Sequence, residues 1–223
     1  MQNETVLGLS KLDKAIIIIG GPLLGAIIGW FIQIILSWLT KIPFVPFGPF
    51  FEWIATWNSS WVSIIGVIVG LIAGILFVLY AFSESLKMTI TDQAVTMKRY
   101  DKEVQLQKRD ISAIYMDRKD IVVLGQKGEE MYRSYTDVKQ PKIEAAFLEL
   151  RFPWKSEDPY QSDYQRWVPE HPDFSASVNS LLAAREEALK EEDKKEAAFL
   201  RKDLAAEGAV IRDEDKRQYV RMI

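Results

Sequence analysis

Hydrophobic positions are concentrated in two long stretches near the start of the chain, and charged positions are concentrated in the remainder. Residues 15–39 and 61–82 contain no Asp, Glu, Lys, Arg or His. A helix rises about 1.5 Å per residue, so each stretch is long enough to cross the hydrocarbon core of a bilayer, about 30 Å thick. The pattern predicts two transmembrane helices, preceded by residues 1–14 and joined by an aromatic-rich loop over residues 40–60.

Glycine recurs at every fourth position within both apolar stretches. Helices in lipid have no hydrophobic force between them, so small residues that let two backbones approach closely favour packing. We therefore expect these glycines to hold the two helices together as a hairpin, or to pack against a second copy of the chain. The candidate contact residues are Gly21, Gly25, Gly29, Gly66, Gly70 and Gly74.

The basic residues near the two stretches predict their direction in the membrane. Lys11 and Lys14 precede the first stretch, whereas the intervening loop has only Lys41. The basic residues that follow the second stretch are Lys87, Lys98, Arg99 and Lys102. Because basic residues are retained on the cytoplasmic side, the pattern predicts a multi-pass protein of the cell membrane with both termini in the cytoplasm.

Residues 83–153 change to short runs with strand character, separated by polar turns. A helix then begins near Pro141, with Ile143, Phe147 and Leu150 on one face. This order predicts a small antiparallel sheet or barrel closed by one amphipathic helix. The predicted strands are Leu86–Thr91, Ala94–Tyr100, Glu103–Gln107, Ile111–Met116, Ile121–Leu124 and Glu130–Ser134.

This order of elements resembles the bacterial pleckstrin-homology-like (PH-like) domains. The runs Ile90–Val95 and Asp110–Ile114 are similar to the opening and middle strands of that family. The resemblance implies an interaction module. Its basic residues alternate with acidic ones, so we expect a solvated, charge-balanced surface instead of a site for lipid headgroups. The basic residues concerned are Lys98, Arg99, Lys102, Lys108 and Arg109.

Residues 154–172 form a linker rich in prolines and polar residues, and residues 173–223, the tail, return to a helical pattern. Two amphipathic helices are followed there by two short strands around Val210 and Tyr219. The predicted fold class is a two-helix membrane hairpin joined to an α+β soluble part. In that part, a small PH-like antiparallel domain with a C-terminal helix precedes a helical hairpin with short strands.

The tail resembles the C-terminal subdomain of cysteinyl-tRNA synthetase, which contacts the anticodon stem. The similarity lies in Ala184–Leu189, Ala198–Leu204, Glu207–Asp213 and Gln218–Arg221. It implies RNA contact, although the tail holds ten basic and twelve acidic residues and has no net attraction for phosphate. The possible RNA-contact residues are Arg185, Arg201, Lys202, Arg212, Arg217 and Arg221. Together, the apolar hairpin, the PH-like module and this tail resemble the YqeB-like family of Bacillus-type bacteria.

The sequence offers no catalytic, metal-binding or cofactor-binding candidate. It has no cysteine, no phosphate-binding loop and one histidine, His171, which lies close to two prolines. We interpret the chain as a non-enzymatic interaction or scaffold protein that presents the PH-like module and the tail to the cytoplasm. The alternative is membrane-anchored binding of a tRNA-like stem by the tail. The expected partners are the lipid bilayer and an unknown protein or a second copy of the chain, with tRNA as the partner of the alternative.

Overall fold

The computed structural model describes residues 4–39, 59–214 and 217–223. Most of the predicted loop over residues 40–60 therefore lies outside the described residues. Contacts within the chain divide it into two units. We call them the hairpin unit, residues 8–87 and 98–103, and the sheet unit, residues 4–7, 88–97 and 104–223.

The described part of the hairpin unit contains three helices, α1 (Lys11–Trp30), α2 (Ile32–Leu39) and α3 (Ser59–Glu84). Ser10 begins α1 with a capping box. Its hydroxyl accepts from the Asp13 amide at 3.1 Å, and the Asp13 carboxylate accepts from the Ser10 amide at 3.2 Å. The helix predicted over residues 15–39 is divided at Phe31, where ψ is 7° instead of the helical value of about −42°.

The first sheet of the sheet unit starts with a strand that precedes the helices. Its strands, in spatial order, are β1 (Thr5–Leu7), β2 (Lys87–Ile90), β3 (Ala94–Arg99) and β4 (Lys102–Gln107). β1 pairs antiparallel with β2, and Leu7 lies opposite Met88. The sequence pattern missed β1, because three residues are too few to reveal an alternation of polar and apolar positions. Along the chain, the three helices therefore lie between two strands, β1 and β2, that pair directly with each other in one sheet.

The second sheet contains β5 (Ile111–Asp117), β6 (Asp120–Gly125) and β7 (Glu130–Tyr135), all antiparallel. The residues Ile121 to Leu124 of β6 are fully buried, so both faces of this central strand are covered. Helix α4 (Gln140–Glu149) follows, with Pro141 in its first turn. Phe147 of α4 packs in the core, and its ring centroid lies 5.5 Å from that of Phe152 and 6.1 Å from that of Trp154.

The tail folds into a helical hairpin against a short antiparallel sheet. Its elements are α5 (Ala176–Lys190), α6 (Lys194–Ala206), β9 (Ala209–Glu214) and β10 (Arg217–Met222). A short strand of the linker, β8 (Gln165–Arg166), pairs with β10, so the strand order is β8-β10-β9. Ser175 caps α5 and Asp193 caps α6, each accepting backbone amides of the first turn. Leu182, Leu204 and Ile211 are among the buried residues that join the helices to the sheet. The predicted fold class is confirmed.

Candidate functional site

Two pairs of the predicted glycines lie face to face in the hairpin unit. Gly25 lies against Gly70, and Gly29 lies against Gly66. A Cβ atom on any of these four residues would overlap the carbonyl group of the opposing glycine. Only a hydrogen atom fits at these positions, so α1 and α3 approach until their backbones are in contact.

The third pair of glycines continues the same contact toward the beginning of α1. A Cβ atom on Gly21 would lie 3.1 Å from the Gly74 carbonyl oxygen and 2.7 Å from Cγ2 of Val78. Gly20, the neighbour of Gly21, differs from all six, since a Cβ atom there would meet nothing within 4 Å. The structure therefore brings the six predicted glycines together within one chain.

Arg201 of α6 connects the tail to the second sheet within the sheet unit. Its Nη1 donates to Glu130 Oε1 at 2.9 Å, and its Nη2 donates to Asp213 Oδ2 at 3.2 Å. The other oxygen of Glu130, Oε2, accepts from Arg133 Nε at 2.9 Å. Charge-assisted hydrogen bonds of this kind are stronger than neutral ones. One carboxylate on β7 thus bridges a guanidinium of its own strand and a guanidinium of the tail.

Arg133 is the centre of the charge cluster on the second sheet. Its Nη1 donates to Asp117 Oδ2 at 2.7 Å and lies 3.5 Å from Asp120 Oδ2, and the side chain is 14% exposed. Burial alone lowers the pKa of Arg133, but the Glu130 and Asp117 carboxylates outweigh burial and raise the pKa above its ordinary value. The guanidinium therefore remains charged although it is buried.

Arg185 of α5 is buried inside the tail and forms a bidentate pair with Asp213. Nη1 donates to Oδ1 and Nη2 donates to Oδ2, both at 2.7 Å, and Nη1 also donates to Gln218 Oε1 at 2.8 Å. Burial raises the pKa of Asp213, but the hydrogen bonds and positive charges of Arg185 and then Arg201 lower it by more than burial raises it. The resulting pKa of Asp213 lies below its ordinary value. This carboxylate holds α5, α6 and β9 together.

Two tyrosines of the linker enclose Arg221, a second buried arginine of the tail. The Arg221 guanidinium carbon lies 4.3 Å from the ring centroid of Tyr160 and 5.5 Å from that of Tyr164. Its Nη2 donates to the carbonyl oxygen of Gly128, in the turn between β6 and β7. Gly128 has φ +84°, and a Cβ atom there would lie 3.0 Å from Tyr160 Cζ. A glycine is therefore required by both the turn and the close approach of Tyr160.

Two open clefts border this charged surface. The larger has a volume of about 380 Å³ and is lined by residues 117–120 of the β5–β6 turn together with Arg133, Arg201 and Asp213. The smaller, of about 200 Å³, lies beside Tyr115 and Asp158. Within residues 4–39, 59–214 and 217–223, no group of three or more His, Cys, Asp or Glu side chains could hold a metal ion. The arginine–carboxylate pairs here are suited to joining the tail to the second sheet.

Four of the six predicted RNA-contact residues have partners inside the sheet unit. Arg185, Arg201 and Arg221 bind carboxylate or carbonyl oxygens of the protein itself, and Arg212 pairs with Glu214 at 2.9 Å. The Arg212 guanidinium also lies 4.9 Å from the ring centroid of Tyr164. The other two predicted residues, Lys202 and Arg217, are exposed. RNA contact by the tail remains a prediction, and two of the six residues predicted for it are exposed.

Sequence reasoning missed the carboxylates that hold these arginines, Glu130 and Asp213, and it missed Arg133. In the sequence, these acidic residues are indistinguishable from ordinary surface charge. One signal indicates a covered surface, namely the uninterrupted apolar run from Ile121 to Leu124. A strand without alternation is typical of burial on both faces. Ala113, Tyr115, Val122 and Leu124 form the cluster against which Tyr160 of the linker packs.

These observations define a class of protein: two apolar helices packed through glycine, which lie in the chain between two strands of a PH-like sheet domain that carries a helical tail. Residues 5–155 match the family model of the YqeB-like bacterial PH domain, and residues 171–221 match that of the cysteinyl-tRNA ligase anticodon binding domain. The first match begins at β1, in keeping with the place of this strand in the sheet.

The chain belongs to the YqeB-like family. It is 33% identical over 221 residues to the uncharacterized protein YqeB of Bacillus subtilis (strain 168), and the alignment covers 99% of this chain and 92% of that protein. No solved structure matches it. The family resemblance inferred from sequence is confirmed, including both the PH-like module and the tail.

Proposed function

We propose that this protein is an integral membrane, non-enzymatic interaction protein that presents its sheet unit as a scaffold at the cytoplasmic face. The observation that carries the proposal is the glycine contact between α1 and α3. Gly25 and Gly70 lie so close that neither tolerates a Cβ atom. Such contacts are the means by which apolar helices associate in lipid, where burial of apolar surface gives no gain.

The exposed surfaces of α1 and α3 support insertion into lipid. Leu24 is 59% exposed and Leu76 is 60% exposed, and many other large apolar side chains on both helices are similarly open. Only 6% of the most apolar part of α1 and 17% of that of α3 is buried within the protein. A core helix of a water-soluble protein would be mostly buried, whereas lipid is a suitable solvent for these side chains. Both helices are long and apolar enough to cross a membrane.

The strand pairing favours a hairpin with both ends on one face of the membrane. Only residues 8–10 separate β1 from α1, and only residues 85–86 separate α3 from β2. Such connections reach at most about 14 Å, less than half of the hydrocarbon core of about 30 Å. Because β1 and β2 pair with each other, we expect the start of α1 and the end of α3 to emerge on the same face of the membrane. The surrounding basic residues favour the cytoplasmic face.

Labelling of single cysteines tests this arrangement, since the chain has no cysteine of its own. Thr56→Cys probes the loop between the helices, and Glu207→Cys probes the tail. In intact cells, a membrane-impermeant maleimide should label the first variant only, and after lysis it should label both. Labelling of the tail in intact cells would contradict the topology. Release of the protein from membranes by carbonate would contradict insertion.

The sheet unit is suited to serve as a platform because its parts are joined by specific contacts. Arg201 binds Glu130, and Arg221 binds the Gly128 carbonyl, so the tail is fixed to the second sheet. A protein partner or a second copy of the chain would then meet one continuous surface. A photo-crosslinker in place of Phe199, which is 59% exposed on α6, should form a discrete protein adduct in native membranes. The same probe at buried Leu204 is the control, and equal labelling at both positions would contradict the proposal.

RNA binding by the tail is the second candidate, and the match of residues 171–221 to the anticodon binding domain favours it. Lys202 and Arg217 are the predicted residues available on the surface. Full-length protein in detergent should then bind tRNA with an affinity that falls as salt rises, because phosphate contacts release counterions. Lys202→Gln with Arg217→Gln should weaken binding and reduce the salt slope by about two. Absence of binding at low salt would remove this candidate.

A further inference from the structure

We propose that the tip of the β3–β4 hairpin, residues 98–103, is a contact site for anionic lipid headgroups, with Tyr100 as its interfacial anchor. The inference rests on the proposed insertion of α1 and α3 and adds a lipid-binding site to it. Three observations carry it: the tip is bound to the end of α3, Tyr100 has an unusual backbone conformation, and the basic residues of the hairpin unit are concentrated at this end.

The tip is bound to the last turn of α3 by hydrogen bonds. The Tyr100 amide donates to the Ser83 carbonyl oxygen at 2.6 Å, and Arg99 Nε donates to the Glu84 carbonyl oxygen at 2.8 Å. The Arg99 guanidinium also lies 3.6 Å from the Glu84 carboxylate. The last carbonyl groups of a helix lack partners within it, and a guanidinium there is favoured by the helix dipole. The tip therefore caps α3, at the level where a transmembrane α3 leaves the bilayer.

Tyr100 occupies a backbone conformation that disfavours large side chains. Its φ is +52°, in the left-handed region where glycine is the usual choice. The side chain is 44% exposed, so burial in the core does not account for this choice. The Tyr100 side chain lies by the Tyr80 side chain of α3, and the Arg99 guanidinium carbon is 5.6 Å from the centroid of the Tyr100 ring. An aromatic ring with a polar end is suited to the headgroup region, where tyrosine is enriched.

The charges of the hairpin unit are concentrated at the same end. Its described residues include six basic and four acidic side chains, all located before or at the start of α1, at the end of α3 or in the tip. Glu84 pairs with Arg99, and Asp13 caps α1. Lys98 lies 3.9 Å from Glu103, but both side chains are more than half exposed, so this pair is weak. Net positive charge at this level attracts anionic headgroups.

Lys108, another basic residue that follows α3, is not available to bind lipid headgroups. Lys108 Nζ donates to the Leu150 carbonyl oxygen at 2.6 Å and lies 5.0 Å from the ring centroid of Phe152. The structure therefore places Lys98, Arg99 and Lys102 at the tip and uses Lys108 for internal packing. The sequence alone favours one charge-balanced surface, because it does not show that residues 98–103 bind the end of α3.

Depth-dependent quenching of a fluorophore on the tip tests the proposal. Asp101→Cys, in the otherwise cysteine-free full-length chain, is labelled with NBD and placed in nanodiscs whose lipids carry a nitroxide on the headgroup. With phosphatidylglycerol present, quenching should be strong. Tyr100→Gly should lose most of the quenching, although glycine suits the backbone there and the fold is retained. Lys98→Gln with Lys102→Gln should abolish the difference between phosphatidylglycerol and phosphatidylcholine nanodiscs.

Two controls give each outcome a single meaning. Lys194→Gln with Lys195→Gln, a charge change of the same size on exposed residues of α6, should leave the quenching unchanged. If quenching is absent, or is independent of Tyr100 and of lipid charge, the inference fails. Failure of membrane insertion itself is detected separately, because a protein that does not insert is extracted by carbonate and does not enter nanodiscs.

Discussion

The hairpin unit and the sheet unit differ in the kind of contact that holds each of them together internally. In the hairpin unit, the closest contacts are made where side chains are missing, and Gly25 and Gly29 meet Gly70 and Gly66 backbone to backbone. In the sheet unit, the tail is joined to the second sheet by some of the longest side chains available, those of arginine. With α1 and α3 in lipid, as proposed, the surrounding solvent accounts for which residues connect two elements in each unit.

Each kind of contact suits the surroundings that we propose for its unit. Lipid gives no advantage to burying an apolar side chain, so close backbone packing is the available source of attraction. A water-soluble domain obtains its stability from apolar burial and can add charged pairs whose partners are fully supplied. Asp213 illustrates the second case, since it accepts hydrogen bonds from both Arg185 and Arg201. The two units should therefore differ in how they respond to substitution, charge and pH.

The largest expected effect is that of a large side chain at the centre of the glycine contact. Gly70→Leu places a Cβ atom inside the carbonyl group of Gly25, and no rotamer relieves an overlap with backbone. We expect the free energy of unfolding of the hairpin to fall by about 3 kcal/mol or more, which is the upper end of the usual cost of overpacking. The helix remains apolar enough to insert, so the effect is on packing. Unfolding of the full-length protein by SDS titration in detergent measures it.

Gly20→Leu is the matched control for this prediction. It adds the same side chain to α1, immediately beside Gly21, at a position where a Cβ atom meets nothing within 4 Å. Its unfolding midpoint should equal that of the wild type. Equal destabilisation by Gly20→Leu and Gly70→Leu would show that leucine acts through a general property of the helix, and the hairpin contact would lose its support.

The next largest effect is expected on removing the carboxylate at the centre of the tail. Asp213→Ala leaves the Arg185 guanidinium, whose side chain is 5% exposed, without its bidentate partner. A buried charge that loses its partner costs about 3–5 kcal/mol, and since the Asp213 side chain is 39% exposed we expect about 2 kcal/mol. Urea unfolding of the full-length protein, followed by proteolysis of the tail, measures this change. Asp203→Ala, on the exposed face of α6, should leave the midpoint unaltered.

The two units also differ in how far sequence reasoning reached. Local patterns predicted the six strands from Leu86 to Ser134, and β2 to β7 lie at these positions within one or two residues. The spacing of four likewise indicated the glycines, because one helix face is visible in one stretch of sequence. In contrast, Glu130 and Arg201 are 71 residues apart, and nothing in the sequence near either residue specifies the other. Long-range ion pairs have no periodicity.

A smaller effect is expected where the tail meets the second sheet. Glu130→Gln weakens the bonds to both Arg133 and Arg201, and Arg201→Gln weakens the bonds of Arg201 to Glu130 and to Asp213. A double-mutant cycle should give a coupling free energy of about 1 kcal/mol between Glu130 and Arg201, since both side chains are only partly exposed. The rate of proteolysis in the linker is the measurement. Additive effects of the two substitutions would mean that this ion pair does not hold the tail.

The smallest and most selective difference between the units is expected in their response to pH. Because Arg185 and Arg201 lower the pKa of Asp213 in the folded state, this carboxylate stabilises the fold fully above its unfolded pKa of about 3.9. That contribution is lost as pH falls through the lower folded pKa. Between pH 6 and pH 2.5, the unfolding midpoint of the wild type should therefore fall more steeply below pH 4 than that of Asp213→Asn. The glycine contact involves no titratable group, so the deficit of Gly70→Leu should be the same at every pH in this range. A deficit of Gly70→Leu that varies with pH would mean that the hairpin depends on charged groups and that the two units are not held by different means.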